Sequence, residues 1–279
     1  MSDDVVILDG AIEPDSHHAT VGGGEVYAYT CRAPNKGSEN EDTVALIPYG
    51  PEAAVMVVAD GAGGLPAGKR ASSTAVASLA ASLHAAMEET TLLRTAILNG
   101  IDAANSAVQD IGNGSATTLT VITIEGRTVR SYQVGDSEAI VVGQRGLIRL
   151  QTTPHSPTGF AVEAGFLDER DALHHEDRHL VSNFLGTADM RIDVGAELQL
   201  QPRDTILLAS DGLMDNVHLD EIIERVRKGP MVDAAGRVVS LAERRMTGIA
   251  PAQPSKPDDL SLILFRKGAR VPVKPADEI

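Results

Sequence analysis

No stretch limits the fold of this chain more than residues 55–72, V-M-V-V-A-D-G-A-G-G-L-P-A-G-K-R-A-S. Its opening apolar run predicts a short buried strand that ends on Asp60. A glycine-dense turn follows, then Pro66 at the first position of an alanine-rich helix. A carboxylate at the end of a buried strand sits in an apolar wall, so its charge needs a partner. Gly61, Gly63 and Gly64 let the backbone pass close to that partner. Two partners compete: a hard cation on Asp60, or a phosphate cradled by the loop. Gly63-x-x-x-x-Gly68-Lys69 matches the phosphate-loop pattern and lies between a strand and a helix, as that motif requires. Arg70, however, stands where Ser or Thr would supply a hydroxyl to Mg²⁺, and Pro66 lacks an N–H for the cradle. The cation reading gains if other acids lie at other strand ends.

The remaining composition narrows the partners. The chain has 279 residues and is 43% hydrophobic but only 3% aromatic, so its core is built from Ala, Val, Leu and Ile. A formal net charge of −15 argues against nucleic acid or an anionic membrane as a partner. Cys31, the single cysteine, allows no internal disulfide and fits a reducing cytoplasm. No apolar run is long enough to span a bilayer, and the acidic start M-S-D-D does not read as a signal peptide. A cytoplasmic protein is therefore expected.

In chain order, residues 1–25 are weakly patterned and 25–31 predicts a strand. The polar loop 32–42, R-A-P-N-K-G-S-E-N-E-D, ends on Glu41 and Asp42 before the strand T-V-A-L-I. Helices are expected over 66–89 and 91–111, the first with apolar residues at 76, 79, 80 and 83 on one stripe. Strands over 117–124 and 129–134 lead into Gly135-Asp136-Ser137, a second acid at a strand end. Residues 152–186 break the β pattern with Pro154, Pro157 and a mixed helical run over 161–175. His174, His175 and His179 offer metal-binding side chains there, but no Glu lies between them in H-E-x-x-H order. Surrounding charges point to a solvated insertion. Strands over 196–200 and 205–209 follow, the second running into Ser210-Asp211-Gly212. Helices are expected over 219–227 and 241–246. Asp258-Asp259 then precede the last strand, L-S-L-I-L-F. No repeat and no linker divides the chain, so residues 1–279 read as one domain, with its core over about 25–266 and a loose tail over 267–279.

Asp60, Asp136, Asp211 and Asp258 thus mark the rims of four strands. Carboxylates brought to one rim repel unless cations sit between them. With oxygen donors alone, such a site selects Mg²⁺ or Mn²⁺ rather than Zn²⁺. A pair of these ions activates a bridging water for in-line attack on a phosphoryl group.

The set also resembles a known family. N-E-D at 40–42, V-A-D-G-A-G-G at 58–64, T-T-L-T-V at 117–121, V-G-D-S at 134–137, A-S-D-G-L-M-D-N at 209–216 and D-D-L-S-L at 258–262 occur in the order of the metal-dependent protein phosphatase 2C (PPM) serine/threonine phosphatases. The resemblance spans residues 32–265. It implies an α+β fold: a central β-sandwich of two antiparallel sheets flanked by helices on both faces. It also implies hydrolysis of phosphoserine and phosphothreonine in proteins, opposite a cognate kinase. Asp60 would bridge two essential ions, the Gly61 carbonyl would complete one site, and Asp211 and Asp258 the other. Asp136 with Asp211 would form a third, weaker site, and Glu41 and Asp42 would hold metal-bound waters. Residues 155–182 would form a mobile flap beside the site. Several positions depart from the family. Gly37 stands where an Arg grips the phosphate, leaving Arg32 or Lys36 to do so. Ala62 and Leu65 replace histidines, Glu138 replaces the Arg of G-D-S-R, and Asp259 replaces an Asn. These departures keep a second reading open, a metal-binding pseudophosphatase that docks phosphoproteins without turnover.

Overall fold

Strands β4 (Asp42–Pro48) and β5 (Ala53–Asp60) are almost wholly buried along their length. Continuous apolar runs of this kind need cover on both faces of a sheet. In β5 the alternation divides them: Val55, Val57 and Ala59 pack against helices, while Ala54, Met56 and Val58 face a second sheet. The computed structural model describes residues 4–10, 12–62, 67–248 and 252–268.

Among these, two antiparallel sheets are formed. One contains β1 (Val6–Leu8), β4, β5, β6 (Leu119–Glu125), β7 (Thr128–Val134) and β10 (Asp193–Val194) in that spatial order, with β11 (Leu198–Gln199) also on β7. The other runs β2 (Asp15–Val21), β3 (Gly24–Cys31), β13 (Leu260–Arg266), β12 (Thr205–Ala209), β8 (Glu138–Val142) and β9 (Ile148–Gln151). Helices α1 (Gly68–Glu88) and α2 (Leu93–Gln109) cover the outer face of the first sheet through Val76, Leu79, Leu83, Ile97 and Ile101. Helices α5 (Asp211–Met214), α6 (Leu219–Val226) and α7 (Met231–Met246) cover the second through Leu213, Ile222, Val226 and Val238. The expected four-layer αββα sandwich is what forms.

Two expectations change. Residues 1–25 are not featureless: β1 and β2 extend both sheets ahead of residue 25, and Leu8 and Val21 are buried. Their alternation is hidden because β2, D-S-H-H-A-T-V, is an edge strand with a largely solvated face. The helical run expected over 161–175 divides into α3 (Pro157–Glu163), α4 (Glu169–Ala172) and a 3₁₀ turn Glu176–His179. These form the segment expected as the flap. Gly63, Gly64, Leu65 and Pro66, and most of the expected tail, lie outside the described residues.

Candidate active site

Antiparallel pairing sets the end of one strand beside the start of the next, and this gathers the acids. Asp42, first in β4, lies directly opposite Asp60, last in β5. Asp211 follows β12, Asp136 lies between β7 and β8, and Asp258 stands just ahead of β13. A cavity of about 340 Å³ opens at this end of the sandwich, and Glu41, Asp60, Gly61, Asp136, Asp211 and Asp258 all line it. Asp42 lies behind them, fully buried. Arg32 and Lys36 are not among the lining residues.

Each acid is held by its local backbone. The Asp60 N–H donates to Thr118 Oγ1 at 3.0 Å, and its carbonyl accepts from the Thr118 N–H at 2.8 Å. The Gly61 N–H donates to the Glu41 carbonyl at 3.2 Å. A Cβ on Gly61 would lie 2.3 Å from the Gly68 carbonyl oxygen, so only glycine fits there. The turn carrying Asp136 is pinned by His155. The Gly135 N–H donates to His155 Nδ1 at 3.1 Å, and the His155 N–H donates to the Gly135 carbonyl at 3.0 Å. The Ser210 hydroxyl donates to Asp42 Oδ2 at 2.9 Å and accepts from the Ser261 N–H at 3.0 Å, tying three strands beneath Asp211.

Asp259 explains one departure from the family pattern. Its Oδ1 accepts from the Ala33 N–H at 2.8 Å, and its Oδ2 from the Glu41 N–H at 2.7 Å and Lys36 Nζ at 2.6 Å. An Asn would turn one acceptor into a donor facing donors. Lys36 also donates to Glu41 Oε2 at 2.7 Å, so its ammonium is committed to two carboxylates. Arg32 is less committed, with one 3.4 Å bond from Nη1 to the Ser38 carbonyl.

The site is strongly acidic and deeply buried at its base. Burial, then the charges of Asp42 and Asp211, push the Asp60 carboxyl well above its usual range. Burial and Asp211 do the same to Asp136. Burial raises Asp42 to about 8, with Asp259 adding to it. Asp258 reaches about 7, through burial and Asp211. Carboxyls crowded in this way want a cation. Lys256, which the sequence reading passed over, supplies one. Its Nζ donates to Asp211 Oδ2 and to Asp215 Oδ2. Burial favours the neutral amine, but Asp211, Asp215 and Asp258 outweigh it and raise the ammonium's pKa.

The donor set fits Mg²⁺ or Mn²⁺. It consists of carboxylates and a backbone carbonyl, and Asp211 Oδ1 is buried without a hydrogen-bond partner. Among the described residues no three His, Cys, Asp or Glu side chains are already gathered about one point able to hold an ion.

The competing phosphate-loop reading loses support, and the single cysteine offers no alternative nucleophile. Lys69 Nζ donates to the carbonyls of Asp9 and Asp42, a structural tie rather than a phosphate contact. Burial pushes the Cys31 thiol up to about 12, the opposite of a nucleophilic cysteine. The solvated reading of the insertion holds for His174 and His179, which are both exposed, and His179 also lines the cavity from the flap.

Glu138 gives a pH test. Burial raises its carboxyl from 4.5 to about 8, against a hydrogen bond from Gln151. A group with a raised folded-state pKa binds more protons folded than unfolded, so its contribution to stability falls as pH rises between those values. The metal-free chain should lose melting temperature from pH 5 to pH 8, and Glu138→Gln should flatten that loss. Equal losses in both proteins would refute the assignment.

Comparison with known proteins agrees with the geometry. The protein phosphatase 2C family model matches residues 32–245. A serine/threonine phosphatase, stp, of Listeria innocua is 30% identical over 205 residues, covering 67% of this chain and 79% of the relative. A bacterial serine phosphatase crystal structure superposes with a TM-score of 0.75 at 26% identity, covering 89% of this chain and all of that one. The catalytic domain of PstP, solved in complex with two manganese ions, superposes with a TM-score of 0.67 at 23% identity over 91% of this chain and 98% of that one. With the sandwich, the acidic cavity and the ordered motifs in place, this chain belongs to the protein phosphatase 2C family of metal-dependent serine/threonine phosphatases.

Proposed function

We propose that the chain removes phosphate from phosphoserine and phosphothreonine in cytoplasmic proteins, opposite a cognate kinase, using two Mg²⁺ or Mn²⁺ ions. Asp60, the Gly61 carbonyl, Asp211 and Asp258 would hold the pair, and Asp136 with Asp211 a weaker third ion. Bound there, the ions supply an activated water and offset charge on the phosphoryl group. Glu41 and Asp42 would orient waters around them. Among the described residues no helix is long and apolar enough to cross a membrane.

The chain's own cations complete the site. Neither expected phosphate ligand lines the cavity, and Arg32 is the freer of the two to reach it, because Lys36 is already paired with Glu41 and Asp259. A guanidinium also grips phosphate through two parallel bonds. His179 replaces the histidines absent at 62 and 65 as donor of a proton to the leaving seryl or threonyl oxygen.

The observation that carries this reading is the convergence of Glu41, Asp60, Asp136, Asp211 and Asp258 on one cavity, with Asp42 directly behind them. Nothing in that arrangement favours a pseudophosphatase. Turnover of p-nitrophenyl phosphate and of a phosphothreonine peptide, with and without Mn²⁺, tests it. Activity should vanish on chelation and return with metal; no metal-dependent turnover would leave a binding module. Within the same assay, Arg32→Ala should raise KM for both substrates. His179→Ala should lower peptide turnover about tenfold or more, while sparing p-nitrophenyl phosphate, whose leaving group needs no acid. Equal loss on both substrates would exclude the proton-donor role.

A further inference from the structure

Lys256 stands where the charge balance of the cavity is decided. Its Nζ donates to Asp211 Oδ2, lies 2.9 Å from Asp215 Oδ2 and 3.5 Å from Asp258 Oδ2. Asp211 and Asp258 are two of the three carboxylates proposed for the metal pair. The placement is built rather than incidental to a long side chain. The Lys256 N–H donates to Asn216 Oδ1 at 2.7 Å, and its carbonyl accepts from Asn216 Nδ2 at 2.8 Å. The same Asn216 amide donates to the Gly212 carbonyl at 2.9 Å, in the turn that carries Asp211. Arg245 Nη1 donates to the Asn216 carbonyl at 2.9 Å, and the Ser255 hydroxyl donates to the Arg245 carbonyl at 2.7 Å. Residues 255–256 are thus clamped between α5 and α7.

An ammonium and a divalent ion seek the same oxygens and repel each other at close range. Asp211 and Asp258 cannot hold a divalent ion between them while the ammonium keeps its present place. Asp215 is not among the expected ligands, and offers Lys256 an acceptor to keep when the other two are taken.

We propose that Lys256 is a resident cation of this centre, neutralising Asp211, Asp215 and Asp258 in the metal-free chain and competing with the divalent ion they would bind. It thereby sets the metal concentration at which the centre loads. The inference rests on the metal reading above. It also predicts uneven loading: an ion held by Asp60 and the Gly61 carbonyl binds first, and the ion at Asp211 and Asp258 binds later because it must displace the lysine.

Mn²⁺ binding to the full chain, followed by the electron paramagnetic resonance signal of free Mn²⁺, tests this apart from activity. Lys256→Gln should tighten the weaker class of Mn²⁺ sites on the order of tenfold, or reveal it where the natural chain shows none, and leave the tighter class unchanged. Unchanged or weaker binding of that class would overturn the proposal. A second measurement uses the unaltered chain, so it does not depend on the variant folding. Acylation of Lys256 by an amine reagent, read by mass spectrometry, should rise several-fold at saturating Mn²⁺; equal or reduced labelling would also overturn it. Absence of Mn²⁺ binding in both proteins would overturn the metal reading itself, whereas binding of equal strength in both would overturn only the role of Lys256.

Discussion

Asp211→Asn should lower turnover by about 10² to 10⁴ at saturating Mn²⁺, with the fold intact by circular dichroism. The substitution keeps size and removes one charge. Asp211 is the first residue of α5, and its backbone is fixed by that turn: its carbonyl accepts from the Asp215 N–H at 2.7 Å. Its Oδ1 is buried and unpartnered, so a neutral amide there changes metal binding before it changes packing. A carboxylate holding a divalent ion contributes several kcal/mol to the charge that develops on the phosphoryl group, and each 1.36 kcal/mol is about tenfold in rate. Asp211 is also the one acid proposed to serve both the essential pair and the third ion. Asp136→Asn removes a ligand from the third site alone, so its cost should be smaller and concentrated at low metal concentration. Equal damage from the two substitutions at saturating Mn²⁺ would overturn that hierarchy, and near-full activity of Asp211→Asn would overturn the metal assignment.

Much of this site was legible in the sequence because its acids are tied to strand ends. V-V-A-D and I-L-L-A-S-D each join a buried apolar run to a carboxylate, whereas the pairing of Asp42 with Asp60 across β4 and β5 shows only in the structure. The layers were expected from the family resemblance, and the structure supplies their physical reason: runs buried on both faces need a second sheet on one side and helices on the other. What stayed hidden depends on contacts between distant parts of the chain. Asp215 did leave a trace, four residues after Asp211 and so on the same helical face. Lys256 left only its position two residues ahead of Asp258, and nothing local says that its ammonium turns inward. Asp259 and Lys36 meet across 223 residues of sequence. His179 comes to the cavity from an irregular segment with no periodicity to read. The edge strand β2 was missed because its solvated face carries Ser16, His18 and Thr20 where an inner strand would carry Val or Ile.

The fold around the site is tightest at Gly212, where the largest loss of stability is expected. A Cβ built on Gly212 lies 1.8 Å from the Asp259 carbonyl oxygen, 2.8 Å from its carbonyl carbon and 3.1 Å from Leu260 Cα. All three are backbone atoms, so no rotamer change relieves the clash. Gly212 is therefore required for space, letting the first turn of α5 lie directly on the start of β13. Overpacking a filled interior costs about 1–3 kcal/mol, and more where backbone must move. Here the segment that would move carries Asp258 and Asp259, so the same shift would separate Asp258 from Asp211. Gly212→Ala should cost about 3 kcal/mol or more, lowering the melting temperature by roughly 6–12 °C at 2–4 °C per kcal/mol. Its weaker class of Mn²⁺ sites should loosen as well. Gly236 is the control: it lies exposed within α7 and a Cβ there meets nothing within 4 Å. Gly236→Ala should raise stability by about 0.5–1 kcal/mol through helix propensity alone. If the two variants melt together, the close approach of α5 to β13 is not the constraint that places Asp211 beside Asp258.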